Sequence, residues 1–135
     1  MAPIYIKNKN LGIKYVGLEE IIRPQLPVEL YNFLNELTKK IIIRGLAYKG
    51  VIVRVLLEMY FKDQEFQKIV ESNYNQYKEF AYKSFKEKGS KTFIVRIPKE
   101  LREELNKIRR LKKRYIMDLV GACVYTIMKL SLIHI

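Results

Sequence analysis

The side chains able to do chemistry in this chain are cations and amides rather than nucleophiles. The one cysteine, Cys123, lies in an apolar stretch, and the one histidine is His134. A single residue of each type excludes the usual zinc-ligand sets. No G-x-S-x-G, P-loop or G-x-G-x-x-G pattern occurs. With no nucleophile–base–acid set, the expectation is a protein that is not an enzyme and carries no cofactor, metal or small-molecule ligand. Two groups of residues remain. Thr92, Ile94 and Arg96 alternate with Phe93, Val95 and Ile97 in the run Lys91–Pro98. Farther on, Lys107, Arg109, Arg110, Lys112, Lys113 and Arg114 place six cations in eight residues without an acid. The chemistry they offer is the binding of anions.

The bulk composition agrees. Net charge is +12 over 135 residues, which favours nucleic acid as a partner first and an anionic membrane surface second. The length is that of one ordinary domain able to bury a core without staples. Apolar residues make up 49% and glycine and proline are few, a globular composition. One cysteine permits no disulfide within the chain and suits a reducing interior. No signal-peptide pattern opens the sequence, so an intracellular, cytoplasmic location is expected.

The elements that position these residues follow from periodicity. Residues 1–18 read as two short alternating runs around an Asn/Gly turn, an N-terminal hairpin or basic arm. Glu19–Pro27 is a weak strand, interrupted by Pro24. Leu30, Leu34, Leu37 and Ile41 predict a helix over Val28–Ile43, stopped by Gly45. A second helix starts at Tyr48 with Val51, Ile52, Val55, Leu56 and Met59 inward. Phe66, Val70, Tyr74, Tyr77, Ala81 and Phe85 predict an amphipathic helix over about 64–86 that links the two halves of the chain. That aromatic stripe has the spacing of a core face rather than a stacking platform. Lys91–Ile97 is a half-buried strand by its period of two. Pro98 ends it and suits the first turn of a helix carrying Leu101, Leu105, Ile108 and Leu111 inward. Asp118 is placed as N-cap of a last helix from Leu119 to about Leu130.

The chain also repeats itself. Leu26-Pro27-Val28-Glu29-Leu30 aligns with Ile97-Pro98-Lys99-Glu100-Leu101 at an offset of 71, and without a gap Gly50 falls on Gly121 and Val53 on Val124. Each strand–helix–helix unit, 19–61 and 90–135, is too small to bury its own apolar face. Two such units can close on each other through a strand pair. The residues Thr92-Phe93-Ile94-Val95-Arg96-Ile97-Pro98-Lys99-Glu100-Leu101, and more loosely Ile21 to Leu30, resemble the ribbon-helix-helix (Arc/MetJ-type) family of DNA-binding proteins. Carrying both halves in one chain resembles the tandem regulators of crenarchaeal viruses. The resemblance implies an α+β, mostly helical fold, with two units forming an intramolecular pseudo-dimer around a two-stranded antiparallel ribbon.

It further implies a transcriptional regulator, of the repressor type or otherwise, that reads double-stranded DNA through the major groove and self-associates on it. The family's base-reading positions are the outward ones: Ile21, Arg23 and Gln25 on one strand, Thr92, Ile94 and Arg96 on the other. Arginine suits guanine, glutamine suits adenine, threonine suits either type of edge, and isoleucine reaches only thymine methyls. The two isoleucines depart from the family's polar pattern, and the unlike halves imply an asymmetric site. Pro24 fits the ribbon only at a non-hydrogen-bonded pair. Phosphate contacts would come from Arg44, Tyr48 and Lys49 at the start of the second helix. In the other copy they would come from Arg110, Lys113 and Arg114, near an N-terminus where Asp118 is unfavourable. Two other readings stay open: a DNA-coating or architectural protein of a virus or plasmid, and a membrane-surface-associated basic protein.

Overall fold

The computed structural model describes residues 19–40 and 48–133. The expected N-terminal hairpin, Ile41, Gly45 and Arg44 lie outside them. In chain order the elements are β1 (Glu19–Ile22), β2 (Gln25–Pro27), α1 (Val28–Lys40), α2 (Lys49–Lys62), α3 (Gln64–Glu87), β3 (Ser90–Thr92), β4 (Val95–Pro98), α4 (Lys99–Lys112) and α5 (Ile116–Ile133). The protein is mostly helical with a small antiparallel two-stranded component.

The strand pairing joins the two halves of the chain. β1 pairs with β4, Ile21 opposite Arg96 and Ile22 opposite Val95. β2 pairs with β3, Gln25 opposite Thr92. The two registers are in step, so 23–24 lie opposite 93–94. The ladder is interrupted there because Pro24 has no N–H to donate. Phe93 N still donates to Pro24 O at 3.4 Å. That bond belongs to a hydrogen-bonded pair, so the expectation of a non-hydrogen-bonded position for Pro24 is overturned. The ribbon gives up one bond at its middle.

Beneath the ribbon sits one core. Ile22, Leu26, Val95 and Ile97 from the strands meet Leu30, Leu34, Val53, Leu57, Leu101, Leu105, Leu119 and Val120 from the helices. Phe66, Val70, Tyr74, Tyr77 and Ala81 of α3 are also buried, so the aromatic stripe is core packing. α3 is separate from α2: the Asp63 carboxylate accepts from Glu65 N and Phe66 N, an N-cap that starts a new helix. Cys123 is buried, and desolvation pushes its thiol well above the usual range.

Three helix readings change. Leu111 is 71% exposed, and Val55 and Met59 also face outward. Leu56 is buried as expected, and Val53, Leu57 and Tyr60 make up the rest of the buried side of α2, because α3, α5 and β4 cover that face. Asp118 is not the N-cap of α5. Leu119 N bonds Tyr115 O at 2.8 Å, so the helix is under way from Ile116. α4 ends at Lys113 in the left-handed region, φ 56°, and the chain turns into α5 within three residues.

Candidate nucleic-acid interface

The six outward strand residues share one surface. Arg23, Gln25, Thr92 and Arg96 are exposed, and so are Ile21 and Ile94, at 40% and 50%. Between them in sequence, Ile22, Pro24, Leu26, Val95 and Ile97 are buried and Phe93 is half-buried. Alternation along each strand puts these sets on opposite faces. Cross-strand register then sets Ile21 beside Arg96 and Gln25 beside Thr92. Gln25 is held at its place, since its Nε2 donates to Ser90 Oγ.

The start of α2 is seated against this ribbon. An added Cβ on Gly50 would lie 2.7 Å from the Ile94 carbonyl oxygen, so only glycine permits the approach. Tyr48 leads into the helix in extended conformation with no side chain capping it, and the first turn has no acid. Its free N–H groups and dipole favour an anion. Tyr48 is exposed. Lys49 Nζ lies 5.0 Å from the centre of the Tyr31 ring, which meets Phe93 edge-on at 6.0 Å. The sequence marks neither Gly50 nor Tyr31 as a support of this site by type or spacing. The one sign of it in the sequence is that Gly50 recurs as Gly121 at the offset of 71.

The second cationic group divides. Arg110 and Lys113 are exposed. Arg114 is partly buried and paired: its Nη2 lies 2.7 Å from Glu71 Oε1, and its guanidinium stands 4.0 Å from the centre of the Tyr74 ring. Its charge is compensated inside the fold, which departs from the phosphate-contacting role expected of it. Burial acts to raise the Glu71 carboxyl, but hydrogen bonds from Arg114 and Tyr60 outweigh it and hold the carboxyl below the usual value. Burial pushes the Tyr74 hydroxyl up to about 12. Asp118, in the first turn of α5, lies 3.8 Å from Lys78 Nζ. The two helix starts therefore differ. That of α2 bears Lys49 and no acid, whereas that of α5 bears an acid already facing a cation.

The described residues hold no group of three or more His, Cys, Asp or Glu side chains placed to bind a metal ion. Among them, no helix is long and apolar enough to cross a membrane. No family model matches the chain, and neither the curated proteins nor the solved structures contain a match to it.

Proposed function

We propose that this chain is a two-copy ribbon-helix-helix protein. It binds double-stranded DNA with sequence preference, inserting the Glu19–Pro27/Ser90–Pro98 ribbon into the major groove as a transcriptional regulator. The observation that carries the reading is the register. It puts Ile21, Arg23, Gln25, Thr92, Ile94 and Arg96 on one outward ribbon face, and a two-stranded ribbon fits that groove. The duplication is supported by one pair of helix starts and by the buried positions around them. α1 and α4 begin 71 residues apart, at Val28 and Lys99, and the buried pairs Leu26/Ile97, Leu30/Leu101 and Leu34/Leu105 keep the same offset. α3 is then the link between the copies, packed chiefly beside α5. Tyr48 and Lys49 grip one flanking phosphate run, and Arg110 and Lys113 another.

A non-specific DNA coat is the second reading, favoured by the +12 charge and by two isoleucines on the ribbon face. Band shifts on selected and random duplexes at rising salt separate the two. A regulator retains a tight class of sites at about 200 mM salt. Equal loss on every sequence leaves the coat.

A further inference from the structure

We propose that the ribbon reads DNA with a fixed polarity, one end through arginine and isoleucine and the other through glutamine and threonine. This rests on the ribbon being the base-reading element and goes further, assigning base classes along the site. The outward face is built of cross-strand rungs. One end rung is Ile21 beside Arg96, and the other is Gln25 beside Thr92. In-step pairing leaves Arg23 across from Ile94 between them. Those two are counterparts at the offset of 71, so the centre of the pseudo-twofold falls on the middle rung. The outer rungs obey the same relation: Arg96 is the counterpart of Gln25, and Thr92 that of Ile21. A ribbon made of identical halves would carry the same residue twice at its centre and identical rungs on either side. Here arginine faces isoleucine at the centre, and the flanking rungs differ in chemistry.

The arrangement is a checkerboard. Arg23 and Arg96 are diagonal neighbours on opposite strands, and so are Ile21 and Ile94; such diagonals are about 7–8 Å apart. Arginine pairs with guanine O6 and N7, and isoleucine packs on the thymine methyl. The centre and one flank therefore select guanine and thymine. On the other flank Ser90 engages one N–H of the Gln25 amide, which leaves the second N–H and the carbonyl oxygen for a base edge, the pair that suits adenine N7 and N6. Thr92 beside it takes either type of edge. Successive rungs are about 6.8 Å apart, roughly two base-pair steps at about 3.4 Å each. The face then spans about five base pairs. The grip on the backbone is lopsided in keeping with this, since the α2 start carries Lys49 and the α5 start carries Asp118.

The test is selection from random duplex by the full chain and by a triple variant, Ile21→Thr, Arg23→Ile and Gln25→Arg, which gives both strands the same outward row. All three positions are exposed, and matched circular dichroism spectra check the fold. The wild-type chain is expected to enrich a core of about five base pairs without dyad symmetry, with guanine required only at the centre and on one side. Replacing either half by the inverted copy of the other should weaken binding roughly 5- to 150-fold. The triple variant is expected to enrich a palindrome. A palindrome from the wild-type chain, or the wild-type site from the triple variant, overturns the polarity. No enriched sequence from the wild-type chain, with all duplexes bound alike, removes base reading itself and is a separate outcome. Should the triple variant fold poorly, Arg23→Ile with Ile94→Arg keeps the composition and exchanges only the central rung. The preference at the central base pair must then invert, and an unchanged preference overturns the proposal.

Discussion

Arg96 and Arg110 are both exposed arginines in different settings, and the proposed function gives them different work. Arg96 stands on the outward ribbon face opposite Ile21, whereas Arg110 lies near the end of α4 in the cationic run. Arg96→Ala is expected to relax base preference at one position at a cost of about 1–3 kcal/mol on the preferred site. Arg110→Ala is expected to weaken all sequences alike and to lower the salt slope by about one. Titrations of a preferred and a random duplex at several salt concentrations distinguish them. Gly50 acts through sterics alone. Gly50→Ala drives a methyl group into the Ile94 carbonyl, and neither backbone can yield without parting ribbon from helix. A loss of about 1–3 kcal/mol in denaturant unfolding is expected, with weaker DNA binding following from the displaced ribbon.

Helix ends decide much at the next scale. Lys113 closes α4 in the left-handed region, with its N–H bonded to Arg109 O at 3.0 Å. Glycine is the residue best suited to that position. Lys113→Gly is expected to stabilise the fold by about 1 kcal/mol while weakening DNA binding through the lost cation. Urea unfolding and band shifts on the same variant should move in opposite directions. Glu71 on α3 braces α2 and the α4–α5 turn, accepting from Tyr60 and Arg114. Its folded pKa lies below the ordinary carboxylate value. Its contribution is therefore full above about pH 4.5 and is lost as pH falls through the lower folded value. Glu29, held down chiefly by the Ser84 hydroxyl and also by Lys88, acts in the same sense. Glu71→Gln is expected to cost about 1–3 kcal/mol at pH 7 and to flatten the stability loss between pH 5 and pH 3, as followed by thermal melts across that range. An equal acid loss in wild type and variant would place the acid sensitivity elsewhere.

Over the whole molecule, two unlike halves share one core. At the offset of 71 the helix starts Val28 and Lys99 match, and so do the buried Leu/Ile positions beneath the ribbon, but two glycines at the same offset do different things. Gly50 is the second residue of α2 and lets the helix approach Ile94. Gly121 is the sixth residue of α5 and leaves room for Tyr77, whose hydroxyl oxygen would lie 2.0 Å from an added Cβ. Gly121→Ala is thus expected to loosen α3 from α5 without moving the ribbon. Thermal stability should fall by about 1–3 kcal/mol, while affinity for DNA per folded molecule is retained.

Much of this was legible in the chain because periodicity is local. The alternation of Phe93, Val95 and Ile97 with Thr92, Ile94 and Arg96 set the two faces of the second strand. The offset of 71 did the same for Ile21, Arg23 and Gln25, in a strand too weak to identify alone. The repeat also put Val28 and Lys99 at matching helix starts. What needed the third dimension was everything set by contacts distant in sequence. Arg114 looked like one more surface cation until Glu71, 43 residues away, compensated it. Leu111, Val55 and Met59 fit helical stripes, yet the neighbouring helices cover other faces. Asp118 had the chemistry of an N-cap, but the left-handed turn at Lys113 started α5 earlier. Tertiary packing alone decided which rung faces which, because strand register is a relation between two segments and neither contains it.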